Sequence, residues 1–274
     1  MSDDVCVITG GGSGIGRATA ALMGERGYRI VLAGRTPAKL ADTVADLRND
    51  GVAAEAVAGD VSDRDAMLRL AELAANRGRV TAVIHAAGLS PHMGDPATIM
   101  AVNALGTLHV NDAFYPVMDS GCVIDTSSMS AYLAPRLLMP TGSYPLSRTD
   151  PERFRRRMMG RVRLFPRRVQ TGVAYAISKH FVLWCARTDA ARFGARGVRV
   201  LSITPSTFAT PMGEIESGET ADYLARNAIK RAGRPEEIAF LYASVADDQM
   251  GYLTGTDILC DGGCVAAGGS LVRA

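Results

Sequence analysis

Short apolar runs rich in β-branched residues alternate along the chain with longer segments in which apolar residues recur every three or four positions. Short runs of this kind are typical of buried strands, and the longer period is typical of helices that bury one face. The pattern predicts strands near residues 4–9, 29–33, 52–57, 80–85, 121–126, 198–203 and 256–260. It predicts longer helices near residues 14–27, 37–49, 63–77, 96–118, 173–195 and 235–246. This alternation predicts an α/β fold, with a doubly wound parallel sheet of about seven strands and helices on both faces.

Length, charge and cysteine content narrow the class of protein. The chain has 274 residues, of which 47% are hydrophobic, so it can build the core of a single domain over residues 1–274. A net charge of +2 gives no general attraction to nucleic acid or to membranes. The acidic start, Met1-Ser2-Asp3-Asp4, lacks the regions of a signal peptide, and the five cysteines are scattered. We therefore expect a cytoplasmic protein with no metal, no nucleic acid and no membrane partner.

A glycine-rich turn follows the first predicted strand and leads into the first predicted helix. Glycines permit a positive φ and a close approach of the backbone to pyrophosphate, and the start of a helix offers free N–H groups to an anion. Strand, glycine turn and helix in this order indicate a Rossmann-type dinucleotide site. The residues predicted to bind the cofactor here are Thr9, Gly10, Gly12, Ser13, Gly14, Ile15 and Gly16.

The end of the second predicted strand, Gly34-Arg35-Thr36, bears on the choice of cofactor. In NAD-binding folds a carboxylate at this point accepts a hydrogen bond from the ribose 2′-hydroxyl, and here Gly34 stands in its place. The guanidinium of Arg35 suits a 2′-phosphate through paired N–H donors. We expect all three residues to contact the cofactor and NADP to be preferred, with NAD as the alternative.

Tyr175 and Lys179 are four residues apart in a segment predicted to be helical, so their side chains share one face. An ammonium beside a phenol favours the phenolate, and we expect the pKa of Tyr175 to fall below its ordinary value. A tyrosine adjusted in this way can exchange a proton with an alcohol or a carbonyl near neutral pH.

Taken in order, these motifs resemble those of the short-chain dehydrogenase/reductase superfamily along nearly the whole chain. The turn Thr-Gly-x-x-x-Gly-x-Gly of that family is similar to residues 9–16, and its Tyr-x-x-x-Lys to Tyr175 and Lys179. Its Asn-Asn-Ala-Gly is replaced by His85-Ala86-Ala87-Gly88, and Ser206 replaces a usual glycine. The other landmarks are Asp60-Val61, Asn103, Ser127-Ser128, Pro205 to Thr210, Arg234 to Ala239 and Asp261-Gly262-Gly263.

The resemblance implies an oxidoreductase that transfers a hydride between NADP(H) and a ketone or secondary alcohol. It implies that Ser128 holds the substrate oxygen, that Tyr175 exchanges the proton and that Lys179 assists Tyr175 and binds the nicotinamide ribose. Asn103 is expected to hold a water of the proton relay, and His85 to line the cofactor cleft. Further cofactor contacts are expected at Asp60, Val61, Ala86, Ala87, Gly88, Asn103, Tyr175, Lys179, Pro205, Ser206, Phe208 and Thr210.

An insert of about residues 133–171 separates Ser128 from Tyr175 and holds ten arginines and two acidic residues. Its prolines prevent one long helix, although Pro151 can begin a short helix that runs to Met159. Two interpretations stay open, a solvated surface excursion and a lid or subunit contact beside the active site. Insertions here resemble those of bacterial 3α-hydroxysteroid dehydrogenase/carbonyl reductases and of monomeric carbonyl reductases, which implies a segment over the substrate cleft and altered subunit contacts.

The substrate is predicted only as a class. Methionines and a leucine predict an adaptable apolar cleft for a bulky ketone, namely Leu137, Met139, Met158, Met159 and Met212. Two alternatives for the function are a non-catalytic NADP-binding sensor and a redox-neutral epimerase of the same fold. The resemblance also implies a homo-oligomer, either a dimer or a tetramer, because helices 96–118 and 173–195 usually pack across a two-fold axis in the family.

Overall fold

Parallel strands form one sheet in the computed structural model, which describes residues 3–215, 224, 225 and 227–267. The strands are Asp4–Thr9 (β1), Arg29–Gly34 (β2), Ala54–Ala58 (β3), Arg79–His85 (β4), Gly121–Thr126 (β5), Val198–Pro205 (β6) and Asp257–Cys260 (β7). Their order is β3-β2-β1-β4-β5-β6-β7. This order of parallel strands confirms the predicted doubly wound α/β fold.

Helices cover both faces of this sheet. They are Gly14–Glu25 (α1), Pro37–Asn49 (α2), Arg64–Ala75 (α3), Pro96–Met100 (α4), Gly106–Phe114 (α5), Ser130–Leu133 (α6), Leu146–Thr149 (α7), Pro151–Val162 (α8), Gln170–Gly194 (α9), Pro211–Ile215 (α10) and Pro235–Ala246 (α11). One core lies between the sheet and α3, α5 and α9, and the other between the sheet and α1, α2 and α11.

Strand β1 shows how the residue pattern produces two cores. Val5 and Val7 point into the first core, whereas Cys6 and Ile8 point into the second, and all four are fully buried. Successive side chains of a strand point to opposite faces, so a strand covered by helices on both sides has to be apolar throughout.

The predicted helix 96–118 has a different course in the structure. It begins at α4, passes through a π-helical segment, Ala101–Leu105, and continues as α5 to Phe114. The aspartate that precedes it, Asp95, caps the start by accepting a hydrogen bond from the backbone N–H of Thr98. A π-helical turn inside an α-helix widens the spiral by one residue and is frequent at functional sites; here it contains Asn103.

The insert is packed against the first core, which corrects its interpretation as a solvated excursion. Tyr144, Phe154, Met158 and Val162 are fully buried, and they join the cluster formed by α3, α5 and α9. The ring of Tyr144 lies 5.2 Å from that of Phe181 in α9, in an edge-to-face arrangement. Helix α8 starts at proline as predicted and runs three residues beyond the predicted end, to Val162.

Ion pairs fix the insert to the same face. Arg148 in α7 donates to Asp189 in α9 across 2.6 Å and lies 3.4 Å from Asp112 in α5. Asp189 is 1% exposed, and it also pairs with Arg192. A buried carboxylate needs such partners, because an unpaired charge in the interior is costly.

Candidate active site

The carboxyl ends of the strands and the insert enclose a cavity of about 890 Å³. Parallel sheets of this kind bind ligands at this edge, where the strand order reverses. Most of the residues predicted for the site line the cavity: Gly10, Gly12, Ser13, Gly14, Ile15, Gly16, Gly34, Arg35, Thr36, Asp60, Val61, Ala86, Ala87, Gly88, Ser128, Tyr175, Lys179, Pro205, Ser206, Phe208 and Thr210. Two do not line it, Thr9 and Asn103, and both are buried behind its wall.

The glycine turn is held so tightly that side chains do not fit at two of its positions. Gly10 has a φ of 71°, and a β-carbon there would lie 2.8 Å from the backbone nitrogen of Ala87. At Gly16 a β-carbon would lie 2.4 Å from the carbonyl oxygen of Gly10. Ser13 makes no side-chain capping bond, and the first turn of α1 has no acidic residue. The backbone N–H groups at the start of α1 therefore face the cavity without a competing anion. This is the arrangement that a pyrophosphate requires.

Thr9 and His85 support the turn from below, and the expectation that His85 lines the cleft is wrong. His85 is 1% exposed, and its Nδ1 lies 2.7 Å from Thr9 Oγ1, which also accepts a hydrogen bond from the backbone N–H of Ala87. Burial lowers the pKa of His85 to about 3, and the charge of Lys179 acts in the same direction. The imidazole is therefore neutral and ties β1 to the end of β4.

A second basic residue stands beside Arg35 at the end of β2. Lys39 lines the cavity, and its side chain would be 3.1 Å from a β-carbon at Gly12 of the phosphate turn. Arg35 precedes α2 and Lys39 lies in its first turn, and the two basic residues are close together in sequence. The next strand places Asp60 on the same wall, with one carboxylate oxygen accepting from both the N–H and the hydroxyl of Ser62.

Ser128, Tyr175 and Lys179 all line the cavity. Helix α9 carries Tyr175 and Lys179 one turn apart, and the Lys179 ammonium lies 5.9 Å from the centre of the Tyr175 ring. Its Nζ donates a hydrogen bond of 2.9 Å to the carbonyl oxygen of Thr126 at the end of β5. Ser127 donates a hydrogen bond to the backbone carbonyl of Lys179 and so binds the end of β5 to α9. The neighbouring Ser128 lines the cavity.

Lys179 is 5% exposed, and burial lowers its pKa to about 8. The negative charge of Asp125 opposes this shift. Asp125, in β5, is itself fully buried, and burial raises its pKa to about 8 even though Asn111 donates a hydrogen bond of 3.0 Å to it. Asn111 also donates to Asp189, so a polar chain runs from the insert to the strand behind Lys179. Sequence reasoning missed this chain, since its members are far apart in sequence and belong to no motif.

Asn103 occupies the π-helical segment and binds the end of the strand beside it. Its side-chain amide donates to the carbonyl of Leu89 and accepts from the N–H of the same residue, at 2.9 and 2.8 Å. A β-carbon at Gly88 would lie 3.3 Å from both Asn103 Oδ1 and Lys179 Nζ, so these three residues converge. The expected role of Asn103 in holding a water stays a prediction.

The cavity has two parts that differ in chemistry. We call the part lined by the glycine turn, residues 34–39, Asp60 and Ala86 to Gly88 the cofactor half. The substrate half is mainly apolar and comprises Met93, Leu133, Leu138, Met139, Phe165, Val169, Val173 and Met212, with His92, Arg168 and Thr171 among its polar members. Met139 and Met212 therefore lie where the sequence predicted them. Met158 is instead buried in the core, Met159 packs against that core, and Leu137 is exposed.

The cofactor half fits a dinucleotide on its own geometry. Its glycines leave room where a β-carbon would collide with backbone, and an uncapped helix end faces that room. Exposed cations, Arg35 and Lys39, stand at one end, and Lys179 stands at the other. The fold and this site together define a dinucleotide-dependent oxidoreductase.

Comparison with known proteins gives the family. A model described as short chain dehydrogenase matches residues 4–140, and one described as enoyl-(acyl carrier protein) reductase matches residues 164–265. The matches stop and resume on either side of α7 and α8, the centre of the insert. The chain belongs to the short-chain dehydrogenase/reductase family, and it is an NAD(P)-dependent enzyme that acts on CH–OH and C=O groups.

Individual relatives span nearly the whole chain. The short-chain dehydrogenase/reductase bsc3 of Alternaria brassicicola is 32% identical over 97% of each chain. The A-factor type gamma-butyrolactone 1′-reductase (1S-forming) of Streptomyces virginiae is 28% identical over 96% of each. A solved short-chain type dehydrogenase/reductase from Mycobacterium ulcerans is 26% identical, covers 97% of this chain and 91% of its own, and superimposes with a TM-score of 0.79. Among the described residues no helix is long and apolar enough to cross a membrane.

Proposed function

We propose that this enzyme uses NADPH to reduce a bulky, largely apolar ketone to a secondary alcohol, in the manner of carbonyl reductases and hydroxysteroid dehydrogenases. One observation carries the proposal: a single cavity is lined by the phosphate turn, by Ser128, Tyr175 and Lys179, and by a mainly apolar group of side chains. The name of the Streptomyces virginiae relative, a reductase, supports the direction of the reaction. The 3α-hydroxysteroid dehydrogenase/carbonyl reductase type is supported by the position of the insert, whose residues form part of that apolar wall.

In this proposal each residue acts on a stated atom, and the bound nicotinamide supplies the hydride. Ser128 Oγ donates a hydrogen bond to the ketone oxygen and thereby orients the carbonyl carbon. The Tyr175 hydroxyl donates the proton that this oxygen needs as negative charge develops on it. The ammonium of Lys179 stabilises the negative charge left on the Tyr175 oxygen, and its hydrogen bond to the Thr126 carbonyl holds it in place for that purpose.

We propose NADP(H) as the preferred cofactor because Gly34 supplies no carboxylate for a free ribose 2′-hydroxyl and because two cations line the cavity nearby. Arg35 offers paired N–H donors to a 2′-phosphate, and Lys39 adds a second positive charge.

A cytoplasmic location and a homo-oligomer, dimer or tetramer, complete the proposal. Helix α8 of the insert packs against α4, which begins the predicted helix 96–118, and against α9; helices 96–118 and 173–195 are the ones expected to pair between subunits. We infer that contacts between copies include α8 or lie beside it. Light scattering of the protein, compared with a variant in which residues 136–168 are replaced by a short turn, tests this point; the same mass for both would contradict it.

The function is tested by turnover with both cofactors on cyclic, aromatic and long-chain ketones, in the wild type and in Tyr175→Phe. We expect NADPH oxidation by the wild type and a loss of turnover of about 10² or more in Tyr175→Phe, the size typical of a lost general acid. Tyr252→Phe removes the hydroxyl of a fully exposed tyrosine and is the matched control, with no expected change. Wild-type turnover in Tyr175→Phe would refute the proton-transfer role, and NADPH binding without turnover of any ketone would favour a sensor.

A further inference from the structure

Arg168 is the one permanent cation among the described residues of the substrate half. It lies in a short 3₁₀ turn, Arg167–Val169, that joins the insert to α9. Phe165 and Val169, on either side of it in sequence, line the same cavity, as does Leu138. The charge therefore stands where a mainly apolar wall meets solvent, since Arg168 is exposed.

Arg168 is exposed to solvent, and no described side chain of the protein neutralises its charge. Among the described residues no carboxylate forms an ion pair with Arg168, whereas Arg148 and Arg155 of the same insert pair with Asp189 and Glu152. The described lining residues include one carboxylate, Asp60, and it follows β3 at the opposite edge of the sheet. An arginine in a mainly apolar cavity is suited to an anionic group on the ligand, because its planar donors bind a carboxylate through two parallel hydrogen bonds.

We propose that the substrate is an amphiphilic ketone that carries a carboxylate at the end remote from its carbonyl, and that Arg168 binds this carboxylate. The inference rests on the proposed ketone reduction and adds its substrate class. Arg168 and Tyr175 are seven positions apart, just before α9 and near its start, which corresponds to a backbone rise of about 10 Å at 1.5 Å per residue. An extended chain spans about 3.5 Å per three bonds, so about eight or nine bonds connect the two groups.

The test compares a keto acid with its own methyl ester, since the two differ only in charge at the remote end. The pair is 9-oxodecanoate and methyl 9-oxodecanoate, assayed as kcat/KM with NADPH in the wild type, Arg168→Gln and Arg168→Lys. We expect the wild type to prefer the acid by about tenfold or more, the size of one charge-assisted bidentate contact. Arg168→Gln should bring the acid-to-ester ratio of kcat/KM close to one, whatever its effect on the ester itself, and Arg168→Lys should keep part of the preference, since charge remains without the fork.

Arg167→Gln is the matched control, because Arg167 is adjacent, equally charged and exposed like Arg168, but does not line the cavity. Retention of the acid preference in Arg167→Gln supports a site at Arg168. Equal losses in both variants would show a diffuse field of the whole insert and would overturn the inference. Equal kcat/KM for acid and ester in the wild type would also overturn it while leaving ketone reduction intact.

A binding measurement keeps the inference testable if the ketones are not turned over. Calorimetric titration of decanoate and of 1-decanol into the enzyme with NADP⁺ reports the carboxylate contact without chemistry. Tighter binding of decanoate than of decanol, lost in Arg168→Gln but not in Arg167→Gln, supports the site even if the proposed reduction fails. Equal binding of the two ligands to the wild type rejects it.

Discussion

The two halves of the cavity are built by different means. The cofactor half is made largely of backbone: a turn in which no β-carbon fits at Gly10 or Gly16, and the uncapped start of α1. The substrate half is made of side chains from an insert that is held by buried rings and by the ion pairs of Arg148. A site made of backbone depends on the conformation of one turn and is the same in every protein that has that turn. A wall made of side chains can change its shape by substitution while the fold stays the same. The comparison therefore predicts that damage to one half leaves the other half working.

Gly16→Ala should have the largest effect, and it should be confined to the cofactor half. The new β-carbon would lie 2.4 Å from the carbonyl oxygen of Gly10, a backbone atom that cannot move aside without reshaping the phosphate turn. We expect a cost of about 3 kcal/mol, the upper part of the range for overpacking, and a loss of NADPH affinity of about 100-fold. Equilibrium binding by NADPH fluorescence measures it.

The control for this change is Gly172→Ala, in the first turn of α9, where a β-carbon meets no atom within 4 Å. Gly172 also lines the cavity, but it lies in α9 outside the phosphate turn, so its replacement should leave NADPH affinity unchanged. If Gly16→Ala binds NADPH as tightly as the wild type, the turn is not the rigid cradle inferred here.

Arg148→Met should have the next largest effect, and it should fall on the substrate half. Removing the guanidinium leaves Asp189, 1% exposed, with Arg192 and Asn111 as its remaining described partners. Losing one partner of a buried charge costs several kcal/mol when no other cation remains; with Arg192 present we expect about 2 kcal/mol of unfolding free energy. The KM for ketone should rise more than the Kd for NADPH, because α7 anchors the wall of the substrate half.

Arg155→Met is the control for the loss of one positive charge from the insert, because Arg155 pairs with Glu152 on the exposed side of α8. A surface pair of this kind is worth less than about 1 kcal/mol, so stability should hardly change. Urea unfolding of both variants decides the point. Equal stability of Arg148→Met and wild type would mean that the ion pairs do not hold the insert.

The sequence predicted the half that depends on local motifs. Strand, glycine turn and helix identify the phosphate site because the chemistry is fixed by adjacent residues, and Tyr175 and Lys179 are found because a helix puts positions four apart on one face. The chain from Arg148 through Asp189 and Asn111 to Asp125 could not be found in this way, since its members come from four elements that only the fold brings together. Periodicity likewise failed at Met158, whose burial depends on α8 packing against α9.

Arg35→Ala should have a smaller effect, because it removes a side chain from a half that is made of backbone. Arg35 is exposed at the end of β2, and water and salt weaken its attraction for a 2′-phosphate. We expect NADPH to bind about tenfold more weakly, with Lys39 retaining part of the attraction, while NADH binding stays the same. Titration of both cofactors measures the ratio. Equal losses for both would show that Arg35 does not contact the 2′ position.

Gly160→Ala should have the smallest effect, and the informative result is whether the free energy of unfolding rises or falls. Gly160 lies inside α8 on the exposed side, and a β-carbon there meets no atom within 4 Å. Alanine in the interior of a helix is favoured over glycine by about 0.5–1 kcal/mol, mainly because it restricts the unfolded chain. If α8 is a firm part of the fold, the free energy of unfolding should rise by that amount in a single cooperative transition, with kcat and KM unchanged. A fall in stability would mean that α8 does not form the packed helix on which the substrate half depends. A rise confined to a separate, earlier transition would mean that the insert unfolds on its own, and the two halves would then be independent in stability as well as in binding.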